Sequence, residues 1–151
     1  MADCFSTQKR REVMSKIGSK DTQIEIKVRL WLYHRGIRYR KNCKTIIGKP
    51  DITIKKYKIA IFVHGCFWHG HENCKYYRLP KSNLEYWKEK LEKNIKRDKE
   101  NIEKLEQMGW NVFVLWECQL KSEFEPTMIE LLKKINAIRN SKENQAHLLS
   151  K

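Results

Sequence analysis

The apolar residues near the start of the chain recur at the spacing of a helix. Positions i, i+4, i+7 and i+8 of one stretch are apolar, namely Ile24, Val28, Trp31 and Leu32. Thr22 and Glu25 have the spacing of a capping box, which favours a helix start at Asp21 or Thr22. Gly36 follows the last apolar position, where glycine commonly ends a helix. The pattern therefore predicts a first helix that ends just before Gly36.

Three segments after this helix have the composition of strands. They are Arg38–Cys43, Pro50–Ile54 and Ile59–Val63. The second segment alternates apolar and polar residues, and the third is apolar throughout, which is typical of a buried strand. The polar turn Lys55–Lys58 separates the last two segments, so they are predicted to pair as a hairpin.

A long amphipathic helix is predicted in the middle of the chain. Ser82 and Glu85 form a second capping box, and Gly109 closes the segment after Met108. One face is apolar, with Leu84, Trp87, Leu91, Ile95, Ile102, Leu105 and Met108. Asp98 occupies an inward-facing position on this face, where a carboxylate needs a cation, a metal or a hydrogen-bond donor. Asp98 is therefore predicted to form a salt bridge or to support a functional site.

The most hydrophobic run, Trp110–Trp116, follows that helix. A strand reached through a helical crossover lies parallel to its neighbour, so this run is predicted to be a central, parallel strand. Pro126 suits the first turn of a last helix, which carries Ile129, Leu132, Ile135 and Ile138. The order of elements predicts an α/β fold with a mixed sheet flanked by helices. We expect a flexible basic arm at residues 1–20, one domain at 21–139 and a polar tail at 140–151.

Composition points to a polyanionic partner. The 151 residues include 32 Lys and Arg against 18 Asp and Glu, a net charge of +14. A balance this basic favours nucleic acid, with a basic ribosome-associated protein as the alternative. No apolar run of about 18 residues is present, and residues 1–20 lack the apolar core of a secretory signal. Five cysteines without a signal favour a reducing cytosol, where grouped Cys and His hold metal more often than disulfides.

Metal-ligating residues are concentrated in the loop after Val63. Cys66, His71 and Cys74 lie within nine residues, and Cys118 ends the later strand. Together they would form a closed Cys3His zinc site. His69 is an alternative to His71 as the ligand, and chance grouping of buried cysteines is the alternative to a metal site.

A second set of residues suits phosphodiester hydrolysis. Asp51 begins one strand of the hairpin, and the backbone at Val63 and His64 on the partner strand faces it. A carboxylate here suits Mg2+, and His64 and His69 can act as general acid or base. Asp51 is alternatively a turn residue. Glu25 could face the site as a hydrogen-bond acceptor, or it could be only the capping-box partner of Thr22.

Aromatic and basic residues suggest how DNA is held. Phe67 and Trp68 lie in a polar loop, so they are candidates for wedges between base pairs, whereas Trp87 falls on an inward-facing stripe. Lys9, Arg10 and Arg11 lie in the N-terminal arm. Such an arm can follow phosphates or enter a minor groove, or it can be an ordinary disordered terminus.

Several motifs resemble the very short patch repair (Vsr) endonucleases. They are GKPD at 48–51, FVHGCFWH at 62–69 and WEC at 116–118, with further likeness in SKDTQIE at 19–25, NIKRD at 94–98 and GWNVFVLWEC at 109–118. The resemblance covers roughly residues 8–120. It implies a restriction-endonuclease-like fold with a structural zinc, and Mg2+-dependent nicking 5′ of the thymine in a T:G mismatch left by deamination of 5-methylcytosine.

The resemblance also implies roles for individual residues. Asp51 and the backbone carbonyl of Val63 would bind Mg2+; Glu25, His64, His69 and Asp98 would serve catalysis; Cys66, His71, Cys74 and Cys118 would bind Zn2+; Phe67, Trp68 and Trp87 would intercalate; and Lys9, Arg10 and Arg11 would clamp the DNA. The expected partners are duplex DNA with a T:G mismatch and other mismatch-repair proteins. The expected location is the bacterial cytoplasm at the nucleoid, and a monomer is sufficient to nick one strand.

Two other functions are consistent with the same residues. A restriction-type endonuclease would cut both strands of matched DNA. A zinc-stabilised DNA-binding module would bind without cleavage. The chain departs from the usual restriction-endonuclease pattern in one respect, because the second strand supplies neither a second acidic residue nor a lysine.

Overall fold

The computed structural model describes residues 22–71, 74 and 81–149, which contain four strands and four α-helices in the order α-β-β-β-α-β-α-α. The helices are α1 (Gln23–His34), α2 (Leu84–Gln107), α3 (Glu117–Ser122) and α4 (Phe124–Leu149). The strands are β1 (Arg40–Lys41), β2 (Ile52–Ile54), β3 (Ile59–His64) and β4 (Asn111–Trp116). The sheet has the order β1-β2-β3-β4, antiparallel except for the parallel pair β3-β4. The predicted α/β fold with a mixed sheet is confirmed.

Helix α1 has the predicted start and end. The Thr22 hydroxyl accepts a hydrogen bond from the backbone N–H of Glu25 at 3.2 Å, as an N-cap residue does. Gly36 has a φ of +80°, which glycine adopts without steric cost. The buried face contains Val28, Trp31 and Leu32, so α1 packs on the sheet through the predicted stripe.

The predicted hairpin of β2 and β3 is confirmed, with Ile52 opposite Ile61. All three residues of β2 are buried, so the predicted alternation does not produce an exposed face. Strand β3 contributes to two hydrophobic clusters: Ile59 and Ile61 pack towards α1 and α4, and Ala60 and Phe62 pack beside Leu105 of α2. The fold therefore has three layers, with the sheet between helices.

The prediction that Trp110–Trp116 is central was wrong, although its parallel pairing with β3 is confirmed. Strand β4 is one of the two edge strands among the described strands. It is apolar from Val112 to Trp116 because Val112 and Val114 pack in the hydrophobic cluster with Leu105 of α2, and Phe113 and Leu115 pack in the cluster on the other face of the sheet. Because helices cover both faces of this edge strand, its composition is as apolar as that of a central strand.

Helix α2 differs from its prediction at its start and along its apolar face. Its N-cap is Asn83, which has a φ of +56° and makes no side-chain capping hydrogen bond, so the capping box at Ser82 was wrong. Leu91 and Leu105 are buried, whereas the predicted Ile95 is 38% exposed. The middle of α2 faces a cavity instead of the core, and for this reason the apolar stripe is interrupted there.

Helix α4 begins two residues before Pro126, as predicted, and runs on to Leu149, so residues 140–149 of the predicted tail are helical. Its buried positions are Met128, Leu131 and Ile135, whereas the predicted Ile129 is 45% exposed. The C-terminal half of α4 is fixed by Tyr57, whose hydroxyl donates a hydrogen bond to the Glu143 carboxylate at 2.8 Å. No helix in the described segments is long and apolar enough to cross a membrane.

Candidate active site and metal centre

A cavity of about 500 Å³ opens at the carboxyl end of β3, between the sheet and α2. Its walls come from the first turn of α1, the loop before β2, the end of β3 and the middle of α2. The lining residues are Glu25, Gly48, Lys49, Asp51, Phe62, Val63, His64, Trp68, His69, Asn94, Arg97, Asp98 and Asn101. The structure therefore brings together five predicted catalytic residues from four separate parts of the chain.

Asp51 is held at the open end of the β2-β3 hairpin. Its Oδ2 accepts a hydrogen bond from the backbone N–H of Val63 at 2.6 Å. The pKa of Asp51 is raised to about 7: burial is the largest cause, the Val63 hydrogen bond opposes it, and the nearby Glu25 carboxylate contributes to the rise. A carboxylate that is costly to ionise without a cation is suited to binding a metal ion or a proton at neutral pH.

Glu25 has both of the functions considered from the sequence. Its backbone N–H is the group that Thr22 caps, while its side chain is 5% exposed and lines the cavity. The carboxylate lies 4.0 Å from the guanidinium of Arg29, one turn along α1. The capping role and a place in the site are therefore compatible.

His64, His69 and Asp98 form a compact group on one side of the cavity. The rings of His64 and His69 stack with centroids 3.8 Å apart and planes 7° from parallel. His69 Nδ1 is hydrogen bonded to Asp98 Oδ2. The pKa of His64 is lowered to about 3, mainly by burial, with a further contribution from the neighbouring His69 included in this value.

The ligand atoms of these three side chains are close enough to hold a metal ion. The stacked geometry, however, does not allow the two imidazoles to bind the same ion. The lone pairs of an imidazole lie in the ring plane. Two nearly parallel rings that face each other direct these lone pairs along separate planes instead of towards one ion. The arrangement instead suits proton transfer, with a neutral His64 beside a His69 that is oriented by a carboxylate.

Cys66, His71, Cys74 and Cys118 form a second group, and their ligand atoms all lie within 4.8 Å of one another. Ligands at the usual Zn–S length of about 2.3 Å in a tetrahedron are separated by just under 4 Å. Cys118 Sγ is 3.4 Å from His71 Nδ1, and the Cys118 N–H donates to Cys66 Sγ at 3.4 Å. The donor set and the spacing fit a tetrahedral metal ion.

The turn after β3 separates the two histidines. The His69 N–H donates to the Gly65 carbonyl at 3.1 Å, and the His71 N–H donates to the Cys66 carbonyl at 2.9 Å. Within this coiled segment His69 faces Asp98, whereas His71 faces the cysteines and stacks on Trp116 with centroids 4.0 Å apart. The geometry thus favours His71 over His69 as the fourth metal ligand.

Phe67, Trp68 and Trp87 form an aromatic cluster beside the cavity, which Trp68 lines. Their ring centroids are 5.2 to 5.9 Å apart in edge-to-face pairs, and all three are only partly buried. The Nζ of Lys90 lies 5.7 Å from the ring centres of both tryptophans. Trp87 therefore belongs to this cluster instead of the core that its helical position suggested.

Six lining residues were not among the site residues predicted from the sequence: Gly48, Lys49, Phe62, Asn94, Arg97 and Asn101. For α2 a signal was present, because Asn94 and Asn101 are i−4 and i+3 from Asp98 and share its face. The Asn94 amide also donates to the Trp68 carbonyl at 3.3 Å, which ties the aromatic loop to α2. The predicted arm residues Lys9, Arg10 and Arg11 lie outside the described residues.

Comparison with known proteins shows the class of this chain. The family model described as DNA mismatch endonuclease Vsr matches residues 2–75. The type II nicking enzyme V.NmeAIP of Neisseria meningitidis serogroup A is 51% identical over 82% of this chain and 87% of its own length. The DNA mismatch endonuclease Vsr of Escherichia coli K12 is 37% identical over 80% of this chain and 77% of its own length.

The restriction-endonuclease-like α/β fold and these matches identify a DNA endonuclease, a hydrolase that acts on DNA. Within that class, the chain belongs to the Vsr family of DNA mismatch endonucleases.

Proposed function

We propose that this enzyme nicks one strand of duplex DNA 5′ of the thymine in a T:G mismatch that arises by deamination of 5-methylcytosine. The observation that supports the proposal is the convergence of Asp51 and the His69–Asp98 pair in one cavity that Trp68 of the aromatic cluster also lines. The enzyme would work as a monomer in the bacterial cytoplasm at the nucleoid, alongside other mismatch-repair proteins.

The reaction is metal-assisted hydrolysis of a phosphodiester. Asp51 and the backbone carbonyl of Val63 would hold Mg2+, which supplies charge neutralisation at the scissile phosphate and a more acidic water. The hydrogen bond from the Val63 N–H fixes one carboxylate oxygen of Asp51. Glu25 adds negative charge nearby, which increases the tendency of this end of the cavity to bind a cation.

Proton transfer is assigned to His69. A water oxygen forms a bond to phosphorus and loses a proton, one P–O ester bond breaks, and the leaving sugar oxygen takes up a proton from solvent water. His69 accepts the proton that the attacking water loses, and Asp98 stabilises the imidazolium that results. His64 stays neutral because burial disfavours its charge, so it supports the ring of His69 without repelling it.

Mismatch selectivity would come from the aromatic cluster. Large apolar side chains that insert between base pairs unstack and kink the duplex, at a cost of a few kcal/mol per step. A wobble pair is less costly to distort than a matched pair, so insertion by Phe67, Trp68 and Trp87 favours the mismatch. The basic arm with Lys9, Arg10 and Arg11 would hold the duplex from its other side.

Zinc is assigned to the second group of ligands. Cys66, His71, Cys74 and Cys118 would bind one Zn2+, which connects the loop after β3 to the start of α3. This site has no vacant position for substrate, so its role is structural: it fixes the segment that also contains Phe67, Trp68 and His69.

The test is cleavage of an end-labelled duplex that contains one T:G mismatch, in several sequence contexts, with and without Mg2+. The matched T:A duplex is the control. One Mg2+-dependent nick just 5′ of the thymine is expected. Cleavage of both strands of the matched duplex would indicate a restriction-type endonuclease, and binding without cleavage in every context would indicate a DNA-binding module; either result would refute the proposal.

A further inference from the structure

Lys49 has an unusual backbone conformation at the edge of the cavity. Its φ is +51°, in the left-handed region that a lysine seldom adopts. It also precedes Pro50, and a proline favours extended backbone in the residue before it. Strained residues of this kind persist where the surrounding structure imposes them, often at functional sites.

The surrounding turn imposes this conformation. The Lys49 N–H donates to the Ile46 carbonyl at 3.0 Å, which closes a four-residue turn. Gly48, with a φ of +79°, occupies its third position. A Cβ on Gly48 would lie 3.2 Å from both Asn101 Cβ and Phe62 Cζ, so the turn is packed closely against α2 and β3.

The cavity needs positive charge to admit a phosphodiester. Among its described lining residues three are carboxylates: Glu25, Asp51 and Asp98. The only permanent cations in the same set are Lys49 and Arg97. Lys49 is two residues from Asp51 and is exposed at the rim, whereas Arg97 lies on α2, on the opposite wall.

We propose that Lys49 is a catalytic residue, whose ammonium group binds a non-bridging oxygen of the scissile phosphate. The closely packed turn positions this lysine beside Asp51, and the backbone strain is the cost of that position. The charge of Lys49 offsets repulsion between the entering phosphate and the three carboxylates, and it stabilises the additional negative charge of the transition state. This inference rests on the proposed nicking activity.

The test measures single-turnover nicking of the T:G duplex at saturating enzyme, with Mg2+. Lys49→Asn removes the charge while asparagine tolerates a positive φ. Loss of one such contact is expected to slow nicking by about 100-fold. Lys49→Arg should restore most of the rate, because it retains the charge. Lys49→Gly should slow nicking as Lys49→Asn does without lowering the thermal midpoint, because glycine relieves the strain.

Lys44→Asn is the matched control, since Lys44 is an exposed lysine of the same loop that does not line the cavity. It removes the same charge and should nick at the wild-type rate. Nicking by Lys49→Asn at the wild-type rate, or an equal loss in Lys44→Asn, would overturn the assignment while the wild-type nick still supported the proposed function. If the wild-type enzyme did not nick mismatched DNA at all, both proposals would be refuted.

Discussion

The Cys–His cluster (Cys66, His71, Cys74 and Cys118) and the cavity lie on two sides of the loop after β3, and they differ in the kind of atoms that could bind a metal ion. The cluster contains three sulfur atoms and one imidazole nitrogen, all facing one another. The cavity contains three carboxylates and two imidazoles around an open space. Soft thiolates that enclose one point suit a structural ion, whereas hard oxygens around a vacant volume suit Mg2+ and substrate.

His69 and His71 show that only two positions along the chain separate a residue of the cavity from a residue of the Cys–His cluster. The two residues are identical in type and two positions apart, yet one is hydrogen bonded to Asp98 and the other lies beside Cys118. The surroundings of each ring are set by the element opposite it: α2 for His69, and the start of α3 for His71. If the two regions are independent, a substitution in one should leave the properties of the other unchanged.

The largest effect is expected for a substitution in the Cys–His cluster. Cys118→Ser should abolish stoichiometric zinc and lower the free energy of unfolding by several kcal/mol, since structural zinc binds with an apparent free energy of about 10–16 kcal/mol. Metal analysis and chemical denaturation measure both quantities. Cys43→Ser is the control, because Cys43 lies outside the cluster. Full zinc content in Cys118→Ser would show that the cluster is not the zinc site.

In the cavity, Asp51→Asn should separate activity from folding. It should reduce nicking by at least about 10³-fold, because both the charge that binds Mg2+ and the stabilisation that depends on it are lost. Zinc content and affinity for mismatched DNA should stay at wild-type levels, because the cluster is untouched. Nicking at an undiminished rate would remove Asp51 from the mechanism.

Asp98→Asn should have a smaller effect on nicking. Removing the carboxylate that orients His69 should reduce the rate by about 100-fold and shift the pH profile of nicking, because the imidazolium loses its stabilising charge. The control Glu100→Gln removes the same charge from an exposed position of α2 and should leave both unchanged. A lower rate with an unchanged pH profile would indicate that Asp98 only supports the fold.

The smallest effect concerns stability against pH without Mg2+. The pKa of Asp51 is raised from 3.8 to about 7, so its contribution to stability is complete below about pH 4 and lost as the pH rises through 7. The pKa of His64 is lowered from 6.5 to about 3, so its contribution is present above pH 6.5 and lost as the pH falls towards 3. The two contributions oppose each other.

Asp51→Asn should therefore reveal the His64 contribution. Between pH 4 and 7, the unfolding free energy of the variant relative to wild type should increase with pH, by at most about 1.4 kcal/mol per unit. Denaturant titrations at several pH values measure the difference, and added Mg2+ should reduce it by binding the wild-type carboxylate. Parallel pH curves for the two proteins would show that Asp51 does not titrate in this range.

Local signals alone were sufficient for much of the fold. The Thr22 cap, the β2-β3 hairpin and the parallel pairing of β4 depend on neighbouring residues or on a crossover of fixed type, and all three are present. The grouping of cysteines and histidines was visible for the same reason, because three of the four cluster residues lie on one loop.

Tertiary structure alone decided which way the side chains of that loop face and what α2 packs against. Spacing shows that His69 and His71 are near each other, but direction depends on α2 and α3, which are distant in sequence. The apolar run of β4 could not distinguish a central strand from an edge strand covered by helices on both faces. The GKPD motif includes Lys49, but the backbone strain of this lysine and its place in the cavity exist only once the Gly48 turn packs against α2.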